Sequence, residues 1–378
     1  MNRLWQAVVA CASVGCVAFA ACESPGSGAG PVADASGAFD SVSDSSADGA
    51  FDGGADAVGD AVPDGSLDAA PDAGPLPSLR VDPQCIDGQF SETLPNTTAD
   101  LSASIASYSA ADPQSFILAV LDARYPAGAS IVRKGLAAES SGFGNCIASF
   151  MGASHSAQAL FPQLSTFVHE CGHFADLAES FGGTFIFNES TVVRCQGGGS
   201  QGGAPRTFAR SLINQDDYAA LRPPCGAGGS SGCDFYAKVY LDGDPSDATF
   251  QGGDQGFDSV IEETTQYIGS LATGYSFADY YSAKTSERDG ILTFLWYLER
   301  YLRLARLEHP TVHAALLQNA CWRRAVLTAW GRAHLYLEAT EGVAVLGLED
   351  AELDALVADP ELLSEIQRVR DAEGCGAP

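Results

Sequence analysis

His169-Glu170-Cys171-Gly172-His173 places two imidazoles four residues apart, with a carboxylate beside the first. On a helix, positions i and i+4 leave the same face one turn apart. Two ring nitrogens so placed can reach one zinc ion at about 2.0–2.1 Å. Glu170 projects beside them, toward the water such an ion would hold, where a carboxylate can take a proton and return it to a leaving group. With six histidines in 378 residues, a chance occurrence of this pentad is on the order of 1%. Phe167, Val168, Cys171, Phe174, Ala175 and Leu177 supply apolar residues around the helix, which predicts burial on more than one side. Gly172 is costly in a plain helix and suits a place where another group approaches closely.

A zinc ion needs a third protein ligand. GFDSVIEETTQYIGSL, residues 256–271, reads as a helix bearing Glu262 and Glu263, with Asp258 one turn before. At about 100° per residue, its apolar stripe (Phe257, Val260, Ile261, Thr264, Tyr267, Ile268, Leu271) puts Glu262 roughly 170° from the stripe's centre and Glu263 about 90° from it. A ligand must reach inward beside an open cleft, so the edge position, Glu263, is the expected third ligand with His169 and His173. Glu262 is expected to be a solvated charge near the helix start. Tyr267 is expected to hydrogen-bond the ligating carboxylate.

These residues need a frame. Pro162 to about Phe181 predicts the motif's helix, stopped by Gly182-Gly183. Asp112-Pro113 predicts an N-cap and first helical position for SFILAVLDARY. Residues 125–155 read as short strands and loops. TFIFNESTVV (184–193) and DFYAKVYL (234–241) read as strands, with the Gly-rich CQGGGSQGGAP between them. From Phe257 onward the pattern is helical: 257–272, 288–306, 311–338 and 349–371. The predicted fold class is α+β: a mixed α/β N-terminal part, the motif helix, then a mainly helical C-terminal part, in two lobes with a cleft at their junction.

Other groups are weaker candidates. Asp242-Gly243-Asp244-Pro245-Ser246-Asp247 suits a Ca2+ loop or an ordinary Asp-rich turn. His309 and His313 share the i,i+4 spacing but lack an adjacent Glu, and Pro310 intervenes; they read as helix-start and packing residues. His155 and His334 have no assigned role. Tyr275, Tyr280 and Tyr281 are either oxyanion donors or ordinary aromatic packing.

HECGHFAD resembles the zincin metallopeptidase signature, and the Asp three residues after the second His recurs in lethal-factor-like and related gluzincins. The metzincin continuation is absent, since Glu179 stands where its third His would be. The resemblance covers the helix 162–181 and, less clearly, the later Glu-bearing helix. It implies a two-lobed zincin-like metallopeptidase: Zn2+ on His169, His173 and a later-helix Glu, Glu170 as catalytic base, and Asp176 accepting the second N–H of a ligand histidine. The gap of about 90 residues between His173 and Glu263 is longer than in thermolysin-like enzymes, so the intervening segment reads as an insertion roofing the cleft.

The rest of the chain bounds the setting. Residues 1–22 carry one positive charge, Arg3, and an apolar run ending Phe19-Ala20-Ala21-Cys22. They read as a secretory signal whose end resembles a bacterial lipobox, which implies a lipid on Cys22; Glu23 after it implies the outer membrane. Residues 23–79 carry no Lys or Arg before position 80 and an Asp at every fourth position from Asp40 to Asp72. Such self-repelling chain predicts a disordered tether, holding residues 80–378 roughly 40 Å from the membrane. Net charge is −28, which argues against a nucleic-acid partner, since phosphate binding needs clustered Lys and Arg. Eight cysteines (Cys85, Cys146, Cys171, Cys195, Cys225, Cys233, Cys321, Cys375) remain beyond Cys22. In an exported chain that even count predicts disulfides, with Cys225–Cys233 the favoured local pair. The expected function is zinc-dependent hydrolysis of a peptide or protein substrate. Two alternatives stay open: a non-catalytic binding or adhesion lipoprotein on a zincin scaffold, and a zinc amidase acting on cell-wall peptides. A prosegment within 80–155 is also open.

Overall fold

The computed structural model describes residues 79–142, 144–179, 183–196, 207–214, 236–241 and 255–375. The signal segment, Cys22, the tether, Cys225 with Cys233, and the Asp242–Asp247 turn lie outside the described residues.

Asp112 caps the first long helix as expected: its carboxylate accepts from the Ser115 N–H, with Pro113 at the first helical position. The helices of two turns or more among the described residues are α1 Pro113–Arg124, α2 Pro126–Ala137, α3 Leu164–Glu179, α4 Phe257–Phe277 and α5 Glu287–Glu308. They continue with α6 Pro310–Gln318, α7 Ala320–Ala339, α8 Asp350–Val357 and α9 Pro360–Glu373. One antiparallel hairpin, β1 Thr184–Ile186 and β2 Val192–Arg194, follows α3, with Phe185 opposite Val193. The described structure is therefore mostly helical with a two-stranded sheet. Helix α3 lies between α2 and α4, and α4 packs in turn on α5.

Several expectations are corrected. The described residues of 125–155 form no strand: α2 and the short helix Cys146–Phe150 occupy most of them. Pro126 starts α2, and Ala129, Val132 and Gly135 fall three apart on a buried face. Gly135 lets α2 approach α3, where an added Cβ would lie 2.3 Å from the Cys171 carbonyl oxygen. The N-terminal part is accordingly helical where described, not mixed α/β. The stretch 184–193 is a hairpin because Asn188 turns the chain, its Oδ1 accepting from Ser190 N and Thr191 N. Within 234–241 the described residues form the helical turn Ala237–Tyr240. The predicted helix 311–338 breaks at Asn319, which caps α7 by accepting from Cys321 N. The one predicted over 349–371 breaks before Pro360, with Asp359 as cap.

The segment from Leu79 to Glu92 is built into the C-terminal helices rather than appended to them. Asp87 and Arg370 form a fully buried ion pair at 2.7 Å. Arg370 also donates to the Leu79 and Arg80 carbonyls. Cys85–Cys375 closes the same junction covalently. Cys146–Cys171 ties the short helix Cys146–Phe150 to α3, and Cys195–Cys321 ties the end of the hairpin to α7. No described helix is long and apolar enough to cross a membrane.

One buried group carries a visible electrostatic cost. Glu299 on α5 is fully buried, and neither carboxyl oxygen makes a hydrogen bond among the described residues. Burial pushes it well above the usual carboxylate range; Asp359 and Glu365 add to this and Arg80 opposes it. The folded chain thus keeps a proton that the unfolded chain releases, so this group's contribution to stability falls as pH rises above the ordinary carboxylate range. Through this group the wild-type chain should lose up to about 1.4 kcal/mol per pH unit on alkalinisation. Glu299→Gln should lose less over the same range in urea titrations at stepped pH. Parallel losses in the two proteins would show that Glu299 is ionised in the fold.

Candidate metal centre

Helices α3 and α4 run antiparallel against one another, and their facing side chains are polar in the middle of an apolar contact. From α3 come His169 and His173; from α4 come Glu263, Gln266 and Ser270. Glu263, Gln266 and Ser270 are spaced i, i+3 and i+7, hence one stripe. Elsewhere on α4 buried hydroxyls are satisfied within the helix: Thr264, Thr265, Thr273 and Ser276 each donate to the carbonyl four residues back. The helix can therefore be buried on nearly every side while keeping this stripe for α3.

His169, His173 and Glu263 are brought together, and they are a group able to hold a metal ion. The two Nε2 atoms are 3.1 Å apart. Glu263 Oε2 lies 3.6 Å from that of His169 and 3.5 Å from that of His173. Bonds of about 2.0–2.1 Å at tetrahedral angles separate ligand atoms by about 3.3–3.4 Å, so this triangle has the size a tetrahedral metal requires. The far nitrogens are engaged as ligand histidines require. His169 Nδ1 is 3.2 Å from Ser270 Oγ, and His173 Nδ1 is 3.1 Å from Glu262 Oε1. When each Nδ1 carries the proton, both Nε2 lone pairs point at one another and at a carboxylate oxygen. Glu263 Oε2 is itself buried without a hydrogen bond. Such a constellation could hold a metal ion.

The electrostatics say the same. Burial opposes charging of His173, yet Glu263 opposite and the bond to Glu262 hold it well above the usual imidazole range. Burial likewise works against ionised Glu263, but the charge of His173 and the closeness of both imidazoles hold it well below the carboxylate range. Burial draws His169 down. Positive charge is thus favoured between the carboxylate and the imidazoles. Glu170, only 4 % exposed, is pushed up to about 8, first by burial, against the charge of His173 and with that of Glu263. Asp258, a turn before Glu262, is pushed up to about 6 by burial and then by Glu262.

Three expected roles are different in the structure. Glu262 is not merely solvated: its side chain is 22 % exposed and meets His173 Nδ1. The wheel measured its angle from the apolar stripe, but α3 covers the flank of α4 where Glu262 lies. Asp176 orients no histidine; it accepts from Ile186 N at 3.0 Å and from Gln266 Nε2 at 2.8 Å. Tyr267 does not bond Glu263. Its ring stands edge-on to His169, centroids 4.7 Å apart, and its hydroxyl lies 3.0 Å from that of Tyr240. Gly172 does mark a close approach: an added Cβ would sit 1.8 Å from Gln266 Oε1.

Ser270 went unrecognised, and its signal was the i+7 spacing from Glu263. Tyr280 stacks on Phe161, and Tyr281 sits with Ser165 and Glu287. His309 occupies the position before α6 without a side-chain capping bond and stacks on Phe208, as a packing residue should. Phe208 is also stacked on Tyr301, and Arg210 donates to the Tyr240 carbonyl and to Ser259. The described residues 207–214 and 236–241 of the segment between α3 and α4 thus pack on α4 and α5, and Tyr236 and Tyr240 both meet Tyr267, whose ring stands against His169.

No protein-family model, curated protein or solved structure matches this chain.

The two adjacent glutamates should separate in a zinc titration against a chromophoric chelator. Glu262→Ala removes a partner of a ligand histidine and should weaken binding about 10–100-fold. Glu263→Ala removes a bond to the metal and should weaken it more. A larger loss for Glu262→Ala would exchange their roles.

Proposed function

We propose that the chain is an exported zinc metalloendopeptidase of gluzincin-like type, anchored through a lipid on Cys22 to the outer membrane and acting on peptide or protein substrates. The observation that carries this reading is the buried triangle of His169 Nε2, His173 Nε2 and Glu263 Oε2, with edges of 3.1, 3.5 and 3.6 Å. Two nitrogens and one carboxylate oxygen are a donor set suited to zinc with an open fourth position. The export assignment is supported by residues 1–22 and by three disulfides, which persist in oxidising compartments.

A zinc ion held there supplies a Lewis acid, which eases deprotonation of water and polarises a carbonyl. The protein's own groups do the rest. Ser270 and Glu262 fix the ring orientation of the two histidines. Glu170 follows His169 directly on α3, in the position of a base. Burial makes its carboxyl reluctant to ionise, whereas a nearby dication favours the ionised form. Glu170 takes the proton of the attacking water and delivers it to the amide nitrogen as the C–N bond breaks. A binding or adhesion protein has no use for that carboxylate, which favours the enzyme.

Two measurements test this. Elemental analysis of the purified chain, dialysed against metal-free buffer, should find about one zinc per chain; none bound to a folded chain would remove the metal reading. Glu170→Gln should keep the zinc and lose about 10²–10⁴-fold in cleavage of unfolded protein substrates. Equal cleavage by mutant and wild type would remove Glu170 as base.

A further inference from the structure

Gln266 has no part in the mechanism above, yet it is buried at the centre of the contact between α3 and α4. Among the polar residues that α4 turns toward α3, Glu263 and Ser270 each meet a histidine. Gln266 meets none. Its side chain crosses Gly172, where any Cβ would collide with it, and reaches one turn further along α3 to Asp176. Asp176 is fixed in turn by the backbone N–H of Ile186 in β1. Both side chains are 2 % exposed.

From these contacts we infer that Gln266 and Asp176 are positioning residues that set the axial register between α3 and α4, and through it the affinity of the metal centre. Apolar helix surfaces alone resist sliding weakly, and a slip of one residue moves a side chain about 1.5 Å along the axis. Metal ligands tolerate about 0.2 Å. Glu263 stands on α4 and both histidines on α3, so the triangle closes at one register only. The Gln266–Asp176 bond is directional, shielded from water and placed one turn from Glu263. The bare position at Gly172 lets the carboxamide lie along α3 rather than hold the helices apart. This inference rests on zinc binding at His169, His173 and Glu263.

The test uses the full chain with its disulfides intact. Zinc affinity is read by chelator competition, and the thermal midpoint is read separately with metal removed. Gln266→Glu sets a carboxylate against Asp176 and should weaken zinc at least about 10-fold. Adding Asp176→Asn restores a donor facing an acceptor and should bring affinity back to within about threefold of wild type. Gly172→Ala combined with Gln266→Ala removes the collision but leaves no brace. It should recover the metal-free thermal midpoint relative to Gly172→Ala alone while zinc affinity stays low. The inference is overturned by wild-type affinity in Gln266→Glu, by no recovery in the Asp176→Asn double variant, or by zinc affinity that only follows the metal-free midpoint across the set. If the wild-type chain takes up no zinc, the metal centre itself fails and the brace with it. That result is distinct from a wild type that binds and variants that bind equally.

Discussion

Three donor atoms, two imidazole nitrogens and a carboxylate oxygen, converge within 3.6 Å of one another in a region nearly closed to solvent. Three such donors gathered in a low-dielectric interior could hold a metal ion. That convergence constrains the rest of the structure. It requires α3 and α4 to lie antiparallel at one register, and it requires each histidine's second nitrogen to be engaged elsewhere. Ser270 and Glu262 meet the second requirement with different chemistry, a neutral hydroxyl behind His169 and a carboxylate behind His173.

Everything around the pair of helices serves to keep them close. Gly135 brings α2 against the back of α3 at Cys171, and the Cys146–Cys171 disulfide secures the same residue from a second direction. Cys171 therefore faces away from the histidines on either side of it in sequence, and the motif's variable position is used for anchoring. On α4 Thr264, Thr265, Thr273 and Ser276 bond back to their own helix, so their burial leaves no unpaired hydroxyl. Tyr267 packs behind His169 and leans on α5, its ring passing over Gly290, and its hydroxyl links the site to Tyr240 in the long segment between α3 and α4. That segment is tied to the frame by buried Arg210 and by Phe208 between Tyr301 and His309.

The ends of the described chain are held as firmly as its middle. Asp87, Arg370 and the Cys85–Cys375 bond join the first described turn to the last helix and its end. Glu92 accepts from Arg332 and from Asn188, so the same N-terminal stretch also steadies the hairpin after α3. Residues 79–142 contribute Phe116, Ile117, Val120 and Leu121 to the common core.

The amino-acid sequence by itself pointed to the residues brought together: that His169 and His173 share a helix face, and that Glu263, at the edge of its helix's apolar stripe, is better placed than Glu262 to join them. Those are local facts, carried by spacing along one helix. It also marked Gly172 as a place of close approach, because a glycine inside a helix is conspicuous. The helical run from Phe257 onward was legible for the same reason, apart from breaks at Asn319 and Pro360, where caps outweigh continuing periodicity. Residues 125–155 misled because small residues and glycines serve equally in loops and in closely packed helices. What only the tertiary structure decided was pairing between elements. Gln266 finds Asp176 across 90 positions of sequence, Glu262 finds His173 across 89, and Cys85 finds Cys375 across 290. Periodicity reports which face a residue occupies but not which helix covers that face; that choice is made by packing.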